Sequence, residues 1–271
     1  MDSFKFRQQN SRGCVLDQPQ YIGEYCVNAQ RGIILGRSQA RYLCNFRINR
    51  ECHMDLNEGY EIFDAKIEPS NEKIDILLKW LMLHSLPGDS LKKVCHDADF
   101  VSWRGIFARI AATPSNKDEH WMFAVVCYKS VIFLCEYPTE QKLTMLANMS
   151  NRDKIMAYWG FKFEQFMTSS HPESVPDTKK PVTNKEEFHI MVKSKFNESH
   201  LKILYSAETD GLYYASGAYV ELKTMRFDGQ KKHSWDRKAL KWFLQSYLTA
   251  TKEIVVGLRD DSGYLFANYI S

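Results

Sequence analysis

The stretch from Tyr205 to Thr224 constrains this chain more than any other. It reads Tyr-Ser-Ala-Glu-Thr-Asp, a glycine-bounded connection from Gly211 to Gly217, then Ala-Tyr-Val-Glu-Leu-Lys-Thr. In an extended strand, residues two apart share a face. Glu208 and Asp210 therefore point one way on the first segment, and Glu221 and Lys223 point one way on the second. The connection is short enough for the two segments to pair as neighbours. Three carboxylates and one ammonium then converge on a small patch. Like charges repel, so the patch requires cations, and hard oxygen ligands favour magnesium or manganese. A lysine beside them suits a phosphate or an attacking water. The pattern implies a metal-dependent phosphodiesterase.

Composition sets the surroundings. The chain has 271 residues, 44% of them hydrophobic and 25% charged, ordinary for a globular protein with a substantial core. No run of about 18 apolar residues is present, so no membrane span is expected. The first ten residues lack an apolar core, so no secretory signal is expected. Seven cysteines without a CxxC fit reduced thiols of cytosol or nucleus. The adjacent pairs Cys52-His53 and Cys95-His96 have poor spacing for zinc and are read as structural. A net charge of +3 does not announce a nucleic-acid partner. From Lys223 to Lys241, however, seven bases stand against Asp228 and Asp236, with Phe227 and Trp235 among them. That run could hold a polyanion over the acid patch, or be a solvated helix face.

Along the chain, residues 1–60 suggest short strands. Ser70 or Asn71 is the expected N-cap of a helix with Ile74, Leu77, Leu78 and Leu81 as its buried stripe. Arg104 stands between Trp103 and Gly105 in an apolar segment, suited either to a core salt bridge or to a phosphate. Trp121–Tyr128 and Val131–Glu136 read as a hairpin covered on both faces, hence a central sheet. Met145 to Met167 reads as one helix, 169–185 as a surface loop, and Phe188–Phe196 and His200–Ser206 as strands. From Asp236 to Leu248 a helix is expected to bury Leu240, Phe243, Leu244, Tyr247 and Leu248, with Lys241 and Gln245 together on another side. Glu253–Leu258 reads as a buried strand, and Asp260–Gly263 as a turn.

An acid followed eleven residues later by Glu-x-Lys is similar to the active-site pattern of PD-(D/E)xK nucleases. More specifically, Trp103-Arg104-Gly105, Gly160-Phe161-Lys162-Phe163-Glu164, Glu208-Thr209-Asp210 and Glu221-Leu222-Lys223, in this order, resemble the motifs of the DXO decapping and exoribonuclease family. Gln18–Gly23, Asp55–Tyr60, Leu240–Ser246 and Val255–Arg259 agree with it, so the resemblance spans nearly the whole chain. It implies an α/β fold, a single domain over 1–271 with two packed, largely antiparallel mixed sheets and surrounding helices. It also implies hydrolysis of RNA 5′ ends (triphosphorylated, incompletely capped or NAD-capped), with 5′→3′ exoribonuclease activity in some members. By the motifs, Glu164, Glu208, Asp210 and Glu221, with the Leu222 carbonyl, hold two divalent metals, Mg²⁺ or Mn²⁺. Lys223 and Gln245 position the water, and Arg104 meets the 5′ phosphates. Asp210, central in the patch, is the expected bridge between the metals. A 5′→3′ exoribonuclease partner, a nuclear location and no membrane association complete the expectation.

Two features depart from the family pattern. Thr209 replaces the usual aliphatic residue, a change of little consequence because threonine and valine are alike in shape. The chain ends twelve residues after Arg259, where members of the family usually run on. Three other readings stand beside the leading one: a non-catalytic RNA-binding scaffold, a DNA nuclease of the same motif class, and a structural α/β domain with surface acids.

Overall fold

A computed structural model describes residues 15–44, 54–66, 72–115, 120–227 and 232–270. Among these residues fourteen strands form two seven-stranded sheets. In sheet order the first holds β2 (Ile33–Leu35), β1 (Gln20–Val27), β9 (Glu187–Lys195), β10 (Lys202–Glu208), β5 (Phe100–Trp103), β7 (Val131–Tyr137) and β6 (Met122–Tyr128). The second holds β4 (Met54–Asp55), β14 (Tyr264–Ile270), β13 (Glu253–Arg259), β12 (Tyr219–Arg226), β11 (Gly211–Leu212), β3 (Tyr42–Leu43) and β8 (Thr168–Ser169). Both are mixed and mainly antiparallel; the parallel pairs are β10–β5, β5–β7, β12–β13 and β11–β3.

Among the described residues six α-helices surround them: α1 (Asp75–Leu83), α2 (Leu91–Val94), α3 (Arg104–Ala112), α4 (Glu140–Ala147), α5 (Asn151–Met167) and α6 (Lys232–Tyr247). The alternation of β9 and β10 explains the layers. Met191 and Leu204 face Ile76, Leu77, Trp80 and Leu81 of α1. Ile190, Val192, Ile203 and Tyr205 face the opposite way, toward Ala108 of α3 and Leu248 after α6. In sheet 2, Val220, Leu222 and Val255 pack on Trp159, Phe163 and Phe166 of α5. A smaller cluster of Cys26, Phe188 and Leu212, with Tyr42 and Tyr219 against it, joins the sheets.

Several expectations change. β10 and β12 are not hairpin partners: β10 lies in sheet 1, and β12 pairs with β11 and β13 in sheet 2. The chain crosses between sheets at Thr209-Asp210, and the two-residue β11 takes the place expected for the longer strand. The apolar β6 is an edge strand, with Val125 and Val126 exposed, rather than a covered central one. The 145–167 helix is two helices. Ser150 starts α5 with a capping box to Asp153, which satisfies orphan N–H groups and ends any continuous helix there. The first long helix begins at Asp75 with Ile74 as N-cap; Ser70, Asn71, Cys52, His53, Asp228 and Lys231 lie outside the described residues. On α6, Phe243 and Tyr247 are exposed rather than buried. After the Asp260–Gly263 turn the chain forms β14, a strand that the sequence reading did not include.

Candidate active site

The crossing between sheets builds the site. Glu208 ends β10, and Asp210 lies two residues on, where the backbone passes to sheet 2. β12 supplies Glu221 and Lys223 from the facing sheet. The Lys223 ammonium lies 2.7 Å from Glu221 Oε1 and 3.1 Å from Asp210 Oδ2. The Leu222 N–H donates to the same Asp210 oxygen at 2.7 Å. Arg104, first residue of α3, enters from the end of β5, where Trp103 pairs with Ser206. Its Nη1 stands 3.6 Å from Glu221 Oε2 and, though buried, makes no hydrogen bond.

Glu164 comes from α5, which a glycine lets close to sheet 2. At Gly257 of β13 a Cβ would lie 2.6 Å from Phe163 Cε2, closer than carbon atoms can approach, so only glycine admits the helix at this height.

Charge interactions bind these groups into one cluster. Desolvation and then Asp210 raise the Glu164 carboxyl well above its ordinary range, with Glu208 and Glu221 adding to the shift. Glu208, an exposed residue that lines the cavity beside the site, is pushed up to about 8 by desolvation of its carboxyl, then by Glu187 and Asp210. Asp210 is raised by burial and by Glu221, against the pull of Lys223. Burial also acts to raise Glu221, but Lys223 and Arg104 override it and the carboxyl titrates low. Lys223 itself is held protonated: its two acids outweigh the cost of burial.

Four carboxylates thus share two cations. Among the described residues no three acidic, imidazole or thiol side chains gather closely enough to chelate an ion; Lys223 instead bridges Asp210 and Glu221. The donor set still fits a divalent ion. It consists of oxygen ligands, three of its four acids are raised by burial and then by neighbouring carboxylates, and it adjoins a buried guanidinium nitrogen that makes no hydrogen bond. Of the sequence-predicted residues, Arg104, Glu164, Glu208, Asp210, Glu221, Leu222 and Lys223 come together. Among the described residues Gln245 makes no hydrogen bond to any of them. It is half-buried on α6, where its carbonyl accepts from Thr249.

Beside the acids opens a cavity of about 370 Å³, lined by Trp103, Arg104 and Glu208 and also by Arg31, Glu187 and His189. Arg31 is clamped by Glu72 at 2.6 Å and by Glu187 at 2.8 Å. His189 Nε2 lies 2.8 Å from Glu187, and its ring stacks on Tyr25. This wall was missed in the sequence. Its one signal was Glu-x-His at strand spacing, Glu187 and His189 on one face, with His189 directly opposite Glu208.

The model of the RAI1 like PD-(D/E)XK nuclease family matches residues 17–267. The chain belongs to that family. Decapping nuclease dom-3 of Caenorhabditis elegans is 38% identical over 258 residues, covering 92% of this chain; the chain spans 64% of that relative's length. The fold matches Candida albicans Rai1 in complex with pU5-Mn²⁺ (TM-score 0.80, 20% identity, 96% of this chain and 73% of that one). It also matches Scheffersomyces stipitis Rai1 in complex with (3′-NADP)⁺ and calcium ion (TM-score 0.79, 21% identity, 95% and 76%). The two mixed sheets with flanking helices are the family's fold.

Proposed function

We propose that this chain is a divalent-metal-dependent hydrolase of RNA 5′ ends. The observation that carries the reading is the contact of Lys223 with Asp210 and Glu221 and of Arg104 with Glu221, to which Glu164 and Glu208 are coupled by charge, beside a cavity of about 370 Å³ that Arg104 and Glu208 line. Glu164, Glu208, Asp210, Glu221 and the Leu222 carbonyl would hold Mg²⁺ or Mn²⁺, two ions by the count of acids. Bound there, such ions lower the pKa of water and stabilise the leaving oxygen in an in-line displacement.

The protein's own groups do the rest. Arg104 offers a planar fork to the 5′ phosphate and gives up only a 3.6 Å contact with Glu221 to do so. Lys223 moves from its bridge between Asp210 and Glu221 toward the attacking water or the non-bridging phosphate oxygens. Gln245 would assist only if α6 brings its amide in. Trp103, on the cavity wall, gives the group at the 5′ terminus an aromatic surface. Triphosphate, unmethylated cap and NAD are the candidate ends. Further 5′→3′ degradation, an exoribonuclease partner and a nuclear location belong to the same reading, which rests there on the family. The complexes of the relatives with pU5-Mn²⁺ and (3′-NADP)⁺ support the substrate class.

One observation favours a second reading. Lys223 and Arg104 already neutralise Asp210 and Glu221, as they would in a relative that binds 5′ ends without cutting them. RNAs bearing each 5′ end, incubated with Mg²⁺, Mn²⁺ or EDTA and resolved by product size, separate the two. Asp210→Asn should abolish metal-dependent product while leaving the circular-dichroism spectrum unchanged. RNA bound but never cleaved under any metal would decide for the scaffold, and near-normal turnover by Asp210→Asn would remove the site assignment.

A further inference from the structure

A second concave site lies at the opposite end of sheet 1. Along β9, His189 sits beside Glu208, whereas Lys195 stands six residues away, roughly 20 Å at strand rise. There a cavity of about 190 Å³ opens between sheet 1 and the end of α2. Lys193 and Lys195 share a face of β9, Lys202 stands opposite Lys195, and Gln20 stands opposite Lys193. All four line the cavity, with His96 across from them. Among the described residues none of the three ammoniums forms an ion pair; Asp99, whose carboxylate pairs with Lys92, accepts from the Lys202 N–H and interacts with its charge, and the two acids at the rim, Asp17 and Asp97, are exposed. The concentration of positive charge is felt by His96: burial and then Lys193 depress its imidazole pKa, and His84 adds to it against Asp97.

The backbone at this site is also unusual. His96 and Asp97 both adopt left-handed conformations, φ 52° and 61°, as α2 ends. Their N–H groups close the helix on the Lys93 and Lys92 carbonyls. Glycine is the inexpensive residue at such a cap; an L side chain is strained there, somewhat less so for Asp and His. A histidine in that conformation, stacked beside Trp80 and lining one cavity with three lysines that form no ion pair among the described residues, is better explained by a ligand than by packing.

We propose that this cavity is a phosphate-binding site separate from the acid cluster, with Lys193, Lys195, Lys202 and His96 as its donors. Its ligand is a phosphate group, carried either by a free nucleotide or by the backbone of a single-stranded RNA. The proposal does not depend on the hydrolase reading, and its test is run without turnover.

Three probes are titrated in EDTA: inorganic phosphate, adenosine 5′-monophosphate, and a 3′-labelled oligouridylate with a 5′ hydroxyl. The variants are Lys193→Ala/Lys195→Ala and His96→Gly, with the exposed pair Lys179→Ala/Lys180→Ala as control. His96→Gly relieves the left-handed strain, so it should fold at least as well as the parent while binding more weakly. A tenfold or greater loss of phosphate and mononucleotide binding in both variants, spared by the control, supports a free-nucleotide site. Loss confined to the oligonucleotide, its log–log salt slope falling by about 0.7 per lysine removed, supports an RNA-backbone site. Equal binding by parent and variants for all three probes, or an equal loss in the control, overturns the proposal.

Discussion

At the residue scale the site is a problem of unequal charge. Lys223 holds Asp210 and Glu221 together because each alone would be a buried anion, and breaking such a pair costs about 3–5 kcal/mol. Its removal is therefore a poor test of chemistry, since a loss of activity would be mixed with a loss of fold. Glu187 gives a cleaner test of what the cavity wall contributes. Burial would raise its carboxyl, but hydrogen bonds from His189 and Arg31, with the nearby charge of Lys66, hold it at about 2 against an ordinary 4.5. A depressed acid contributes stability above its unfolded pKa and loses it as pH falls through the folded one. The wall should accordingly weaken between pH 4.5 and 2. Buried His189, held below its ordinary value by desolvation, acts in the same direction from about pH 6.5 downward because the unfolded imidazole takes up a proton first. Glu187→Gln should lower stability at neutral pH and flatten the acid limb of a urea-midpoint profile. An unchanged limb would mean that the Arg31–Glu187–His189 network contributes nothing to the fold.

At the element scale, Gly257 links packing to chemistry. An alanine Cβ there would press on Phe163 at 2.6 Å and on Leu265 at 2.9 Å, an overpacking worth about 1–3 kcal/mol. Relief requires α5 to lift from sheet 2, and Glu164 goes with it. Gly257→Ala should lower the urea midpoint and reduce kcat more than it raises KM; activity kept at full level in a destabilised protein would unlink the two. Elements were legible where the signal was local. The period-two faces of β9 and β10 are those that pack, whereas the capping signature Ser150-x-x-Asp153 was local and was passed over in favour of one helix. What failed was partner choice. The alternation that puts Glu208 on one face and Glu221 on another is equally compatible with a hairpin and with two facing sheets, because pairing is set by long-range packing. β6 failed for a related reason: seven uncharged residues suggest a strand covered on both faces, yet it borders the sheet.

At the scale of the whole molecule, the patch of Glu208, Asp210, Glu221 and Lys223 was legible from strand spacing, whereas Glu164 entered only through the family's motifs and the two-sheet arrangement was not legible. Glu164, Glu208 and Glu221 sit on a helix and on two different sheets, and only the assembled core brings them within charge range. The same assembly predicts how stability depends on metal. Folding forces four carboxylates together with two cations, so the metal-free fold holds repulsion that a bound ion relieves. An ion present at 100 times its dissociation constant adds about 2.7 kcal/mol, and each kcal/mol moves the midpoint of a chain this size by about 2–4 °C. Mn²⁺ should therefore raise Tm by roughly 5–10 °C over EDTA. Glu164→Gln removes one of the repelling charges, whose carboxyl burial and Asp210 already push toward neutrality. That variant should melt above the parent in EDTA, gain less from Mn²⁺ and lose turnover, trading stability for function. If Mn²⁺ leaves the parent's Tm where EDTA sets it, the cluster is a self-neutralised network of acids and bases and the metal reading fails with it.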